Sequence, residues 1–203
     1  MKKLNQREIT ARYDEFAKRY KIAEFFTNII IGRFRKRLLE EVRGKVLEIG
    51  IGTGANLQYY SVDCKVIGID MSKEMIKRAK IKADKIGKKV ELKIGDASKL
   101  PFENKEFDYV IDALGMCSYP NPLKTLREMK RVCKKNGKIL LLEHGMSNNK
   151  FIMKLQEERE EKHYSKIGCS LLRNSEELVK KAGLKIIKCE RKVFGIIYII
   201  IAK

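Results

Sequence analysis

The sequence predicts an α/β domain with a seven-stranded, mostly parallel sheet, helices on both faces, an antiparallel C-terminal hairpin and an N-terminal helical lid. Three observations predict it. From residue 44 onward, short apolar runs alternate with helical segments, the rhythm of parallel strands joined by crossover helices. The run Lys45 to Ile49 ends in Gly50-Ile51-Gly52-Thr53-Gly54, as expected where a buried strand turns sharply into a helix. The length of 203 residues holds one such unit with a sizeable core and little room for a second. The expected division is a helical arm over 1–43 and a sheet domain over 44–203, a single domain in all.

Each element has its own signal. Asn5 to Glu41 carries apolar residues at Phe16, Tyr20, Ala23, Phe26, Ile30, Phe34 and Leu38, spacings of three or four that predict one apolar helical face. Arg12, Lys18, Arg19, Lys21, Arg33, Arg35, Lys36 and Arg37 form the opposite, basic face. After the first strand and its glycines come a helix near Asn56 to Tyr60 and a strand over Val66 to Asp70. The helix Ser72 to Ile86 follows, with Ser72 placed to cap it and Glu74 near its positive end. Val90 to Ile94 and Phe107 to Ile111 read as strands, then a loop runs through Gly115 and Pro120. A helix over Leu123 to Lys134, stopped by Asn136-Gly137, precedes a strand over Lys138 to Leu142. The rhythm breaks over 146–173. It resumes with a helix at Ser175 to Ala182 and two apolar runs, Leu184 to Cys189 and Gly195 to Ala202, which read as the hairpin.

Composition bounds what such a chain does. Hydrophobic residues at 44%, with eight Phe and eight Tyr, support a packed core. Five cysteines show neither paired metal spacing nor a disulfide framework, which suits reduced thiols in a cytoplasm. The longest late apolar run, Val193 to Ala202, falls short of the ~20 residues that span a bilayer, and no signal peptide is expected. The formal charge is +19, concentrated in Lys2 to Arg43, Lys73 to Lys93 and Lys124 to Lys138. A solvated face, peripheral contact with an anionic membrane, and nucleic acid all fit that charge. Nucleic acid fits least, because the Lys73 to Lys93 block interleaves no aromatic residue. Oligomeric state is not legible.

The chemistry sits at the carboxyl ends of the strands, where ligands of parallel sheets bind. Gly50, Asp70, Asp96, Asp112 and His144 all fall on that edge. An acid twenty residues beyond the first glycine, ending the second strand, is placed for a ribose diol. Gly50, Gly52 and Ala55 also satisfy a dinucleotide fingerprint, but Glu48 beside the turn suits a cationic cofactor better than a pyrophosphate. Glu48-x-Gly50-x-Gly52-x-Gly54, Asp70, Gly95-Asp96-Ala97, Phe107-Asp108 and Leu126 to Val132 together resemble the motifs of class I S-adenosylmethionine-dependent methyltransferases, which have a Rossmann-like sheet. Tyr13-Asp14-x-x-Ala17-x-x-Tyr20, Gly54-Ala55-Asn56, Leu142-Glu143-His144-Gly145 and Gly168-Cys169 through Arg173 are most similar to the group spanning quinone, phosphatidylethanolamine and alkyl thiol methyltransferases. Asn136 departs from the proline usual before that glycine, and the stretch between Gly145 and Gly168 is short.

The resemblance implies S-adenosylmethionine as cofactor, with Glu48, Gly50, Gly52, Gly54 and Asn56 around its methionine moiety. It implies Asp70 on the ribose, Met71 against adenine, Asp96 and Ala97 at the adenine edge, and Asp112, Ala113 and Leu114 lining the methionine side of the cofactor next to the acceptor. Asp96 also reads as a turn cap, and Met71 as ordinary core. His144 is the better placed of two histidines to take a proton from an acceptor, or it anchors its loop by a hydrogen bond; His163 lies in a segment read as a solvated helix. Tyr13 and Tyr20, seven residues apart on one helical face, are expected to shape the pocket, contact the cofactor or join the core, and Tyr20 stands with His144 as a catalytic candidate. Cys117 and Cys169 fall in the two pocket segments and invite a metalloid-methylating reading in which thiolates bind a soft arsenic centre. Such an enzyme would need a third thiol nearby, and Cys64, Cys133 and Cys189 read as buried in strands or a helix; no metal is expected. The acceptor expected is a small, lipophilic molecule, first an aminophospholipid headgroup. Quinone carbon, thiol sulfur and RNA remain alternatives.

Overall fold

A computed structural model describes residues 4–203, and side chains over 4–15 and 29–203. The sheet has seven strands in the order β3-β2-β1-β4-β5-β7-β6. These are β1 (Lys45–Ile49), β2 (Lys65–Asp70), β3 (Val90–Ile94), β4 (Phe107–Ala113), β5 (Cys133–His144), β6 (Ile186–Lys192) and β7 (Ile197–Ala202). β1 to β5 run parallel, while β7 is antiparallel to both β5 and β6, giving the expected terminal hairpin. The chain builds outward from β1 to β3 and then crosses back to β4. The carboxyl ends of β1 and β4 therefore diverge into a crevice.

Helices cover both faces, which is why the central strands are apolar at successive positions. On one side Leu47, Ile49, Phe107 and Leu141 pack with Leu126 and Met129 of α3 (Pro122–Val132) and Val179 of α5 (Ser175–Lys181). On the other, Val46, Val66, Ile111 and Leu140 pack with Ala83 of α2 (Lys73–Lys85) and with Phe34, Leu38 and Leu39 of α1 (Gln6–Leu39). Ser72 caps α2 as expected, its Oγ accepting from the Met75 amide at 3.0 Å.

α1 begins in a capping box. The Asn5 side chain accepts from the Glu8 amide, and the Glu8 carboxylate accepts from the Asn5 amide. Its first turns place Ile9 and Tyr13 against Tyr164 of α4 (Lys150–Ile167), across the carboxyl edge of the sheet. Asp14 there accepts a short hydrogen bond from Ser72 Oγ. Its last turns join the core, so the arm roofs the sheet edge. Phe16, Lys18, Arg19, Tyr20, Lys21, Ala23 and Phe26 lie outside the described side chains. Two expectations on this helix are corrected. Ile31, not Ile30, faces inward, and Arg35 is buried instead of joining the basic face.

The third helix ends at Val132, two residues earlier than expected, and β5 starts at Cys133. Phe107 pairs with Cys133 and Tyr109 with Lys138, so residues 134–137 bulge from the ladder where a helix stop was expected. Around His163 most of α4 is exposed, as expected of a solvated helix, but one face is not. Gln156, Glu160 and Tyr164, one turn apart, form a buried polar face. Glu160 accepts from Ser170 Oγ and the Leu171 amide, each at 2.7 Å, and so holds the returning loop. Among the described residues, no helix is long and apolar enough to cross a membrane.

Candidate active site

A cavity of about 640 Å³ opens over the carboxyl ends of β1, β2 and β4, floored by the glycine turn and roofed by the first turns of α1. Gly50 and Gly52 both have positive φ, +57° and +56°, which favours residues without a Cβ. A Cβ on Gly50 would stand 2.6 Å from the Tyr119 hydroxyl, whereas one on Gly52 would meet only the Gly50 carbonyl at 3.9 Å. Asp70 lines the same wall. Its two oxygens accept from the Gly52 and Ser72 amides, each at 2.9 Å, locking the glycine turn to the start of α2. Burial raises its pKa above the ordinary value, and those amide bonds oppose the rise.

Glu48 is buried at the cavity wall, its Oε2 accepting from the Tyr60 hydroxyl at 2.7 Å and its Oε1 from Asn56 Nδ2 at 2.8 Å. Burial pushes its pKa up from 4.5 to about 7, against those hydrogen bonds and the Arg35 charge. Arg35 Nη1 donates to Asn56 Oδ1 at 2.7 Å, while its buried Nε has no hydrogen-bond partner. This arginine lines the cavity. Sequence reasoning missed it by reading it as surface charge. The available signal was its place four residues after Ile31 and four before Leu39, on the inward face.

Met71, Asp96, Ala97, Ala113 and Leu114 line the cavity. Asp96 is also the turn cap foreseen as its alternative, accepting from the Ser98 amide at 2.7 Å. Leu114 has φ +65°, a strained conformation for a side-chain-bearing residue, held by its amide donating to the Leu142 carbonyl. Three expected residues stand behind the wall. Gly54 packs against Leu57 and Ala79, Asn56 is spent between Glu48 and Arg35, and Asp112 is fully buried, accepting from the Tyr119 hydroxyl at 3.3 Å. Burial and the Cys117 charge hold the Asp112 carboxyl well above its ordinary pKa. Glu143, hidden behind the same loop, is raised by burial and by Asp112.

The far end of the cavity is made by three segments distant in sequence: the loop after β4, the end of β5 and the loop after α4. They bring together Cys117, His144 and Cys169, whose ligating atoms all lie within 4.8 Å of one another. His144 Nε2 is 3.0 Å from Cys169 Sγ. A hydrogen bond from Cys169 holds the Cys117 thiol well below its ordinary pKa despite burial, and His144 adds to the effect. Burial alone would lower His144; the neighbouring Cys117 charge outweighs it and raises it. Ser118 Oγ and the Tyr13 hydroxyl are hydrogen-bonded at 2.5 Å beside them, and His163 joins the lining. Tyr20 is outside the described side chains. Tyr13, one of the paired tyrosines in the sequence, is the one seen in the pocket.

A glycine floor, a carboxylate between two anchored loops and a roofing helix define a nucleoside-cofactor site on a doubly wound sheet. Residues 47–141 match the family described as Methyltransferase domain. Methyltransferase OMS1, mitochondrial, of Saccharomyces cerevisiae is 30% identical, covering 99% of this chain and 48% of that protein. Phosphatidylethanolamine N-methyltransferase of Cereibacter sphaeroides is 36% identical over 63% of this chain and 65% of its own length. The chain thus spans about half to two thirds of these curated relatives. A crystal structure of a SAM-dependent methyltransferase from Thermotoga maritima superposes with TM-score 0.72 at 22% identity, covering 96% of this chain and 99% of that one. The chain belongs to the class I S-adenosylmethionine-dependent methyltransferases, near the group acting on phosphatidylethanolamine and demethylmenaquinone.

The residues present fit that cofactor. Gly52 leaves open space where a side chain would fill the cavity, Asp70 suits the ribose, and the partnerless Arg35 Nε suits a carboxylate at the same wall.

Proposed function

We propose that the chain transfers a methyl group from S-adenosylmethionine to a small acceptor with lipophilic character, first an aminophospholipid headgroup. The observation that carries this reading is the continuity of the cavity. It runs from Asp70 and the glycine turn to a far end lined by Ile167, Leu171, Cys117 and His144, the acceptor compartment of this reading. S-adenosylmethionine supplies an electrophilic methyl on a sulfonium. The protein's part is alignment and exclusion of water, worth up to ~7–11 kcal/mol in favourable cases. Asp70 and the Gly50–Gly52 backbone fix one end, Arg35 and Glu48 the other. Tyr13 and Ile9 of the roofing helix line the cavity above the acceptor end.

The name of the Cereibacter relative supports the headgroup. The basic surface, +19 overall, supports delivery from an anionic bilayer. A thiol acceptor is the second reading, favoured by the soft Cys117, His144 and Cys169 side chains at the acceptor end. The test measures S-adenosylhomocysteine production with phosphatidylethanolamine vesicles, with and without anionic lipid, against a thiol, a quinone and RNA. Turnover only with aminophospholipid, faster on anionic vesicles, supports the first reading. Turnover confined to another acceptor overturns it.

A further inference from the structure

We propose that Cys117, His144 and Cys169 form a three-ligand site for a thiophilic metal ion, zinc being the fitting probe, with its fourth position open to the acceptor compartment. Each ligand is held by a fixed element. Cys117 is tied to the opposite loop by the Ser170 amide, which donates to the Cys117 carbonyl at 3.0 Å. Cys169 follows Gly168, the left-handed cap of α4, and precedes two residues held by Glu160. His144 ends β5, and the next amide, Gly145, donates to the Ile196 carbonyl at 2.9 Å. Ligands mounted this way hold their geometry without the metal.

The spacing and chemistry agree with an ion. Zinc bonds to sulfur at ~2.3 Å and to imidazole at ~2.0–2.1 Å, so tetrahedral ligand atoms stand about 3.5–3.8 Å apart. The three atoms here lie within 4.8 Å of one another, one pair at 3.0 Å, so side-chain shifts of about an ångström complete the site. Two sulfurs and an imidazole select zinc or copper(I) over magnesium or calcium. Asp112 and Glu143 stand behind the Cys117 loop and brace it, Glu143 Oε2 accepting from the Met116 amide at 3.2 Å.

Three protein ligands with one vacant position is the arrangement of a catalytic rather than a structural zinc site. All three residues line the cavity, so the vacancy faces the acceptor. A thiol acceptor, the second reading above, would lose its proton to water on binding there and be held as a thiolate. That use of the site rests on the methyl-transfer reading; the metal site itself does not. The sequence points to Cys117 and Cys169 only as arsenic ligands and to His144 only as a base or loop anchor, so nothing in it joins the three as one site.

The test strips the reduced protein of metal, then titrates zinc and cobalt while S-adenosylhomocysteine binding is followed in parallel. The expected result is one equivalent of zinc and a thiolate charge-transfer band with cobalt. Cys117→Ser and Cys169→Ser should weaken binding by at least about 100-fold, while Cys64→Ser leaves it unchanged. Zinc should also protect Cys117 and Cys169 of the unaltered chain from maleimide, read by mass spectrometry, which needs no variant to fold. No zinc uptake and no protection in a reduced protein that binds S-adenosylhomocysteine overturns the site, as does a Cys117–Cys169 disulfide that forms under the same reducing conditions. Zinc uptake without S-adenosylhomocysteine binding leaves the site standing and removes the methyl-transfer reading instead.

Discussion

Glu48→Gln should make the cofactor-free protein relatively more stable as pH rises. The Glu48 carboxyl is fully buried, and burial raises its pKa from 4.5 to about 7. The folded state therefore holds this proton more tightly than the unfolded chain. The stability so gained is complete below pH 4.5 and is lost as pH climbs through 7. At about 1.4 kcal/mol per pH unit, the loss comes to about 3 kcal/mol. Glutamine keeps the shape and cannot ionise, but its NH₂ faces one of the two donors, Tyr60 Oη or Asn56 Nδ2, at a cost of about 1 kcal/mol. The variant should thus be the less stable protein near pH 4.5 and the more stable one near pH 8, by about 2 kcal/mol. Urea denaturation across that range measures the difference. A native-minus-variant difference that stays flat with pH, or moves the other way, would refute the desolvation argument.

Two further outcomes follow from the same wall and its supports. Arg35→Met should weaken S-adenosylhomocysteine binding by about 10- to 100-fold in calorimetry, the size of one charge-assisted hydrogen bond of ~1.5–3 kcal/mol; unchanged affinity would remove Arg35 from the carboxylate end. Gly145→Ala should lower stability by about 2–3 kcal/mol in urea denaturation, because a Cβ there would stand 1.9 Å from the Arg173 carbonyl oxygen. That variant should also weaken turnover, since Arg173 anchors the acceptor loop through the Tyr119 carbonyl.

The parts legible in the sequence are those whose signals are local. The strand, its glycines and Asp70 occupy one βαβ unit, where spacing alone fixes which residues share the sheet edge. Ser72 was readable because capping depends on neighbouring amides. Arg35 was not, because an arginine in a basic helix reads as solvent-facing until the partner that buries it, Asn56, is known. The polar face of α4 hid for the same reason, Gln156 and Glu160 being inward to hold the loops on either side. Residues 133–137 have helix-forming lysines, yet pairing with β4 draws them into a bulged strand. Asp112 sits on the expected edge but one residue below the cavity, since side chains alternate along a strand and Ala113 takes the outward place. The convergence of Cys117, His144 and Cys169 is purely tertiary, because the sheet order β4-β5 and the return of α4 bring them together.

Titration calorimetry with S-adenosylhomocysteine on the native chain and Asp70→Ala, with NAD as a control, probes the cofactor site itself. The native chain should bind S-adenosylhomocysteine at micromolar concentration and not bind NAD, with a loss of at least about 100-fold in the variant, which forfeits both the ribose contacts and the anchors of Gly52 and Ser72. Binding of NAD instead, or S-adenosylhomocysteine binding indifferent to Asp70, would contradict this assignment of the site.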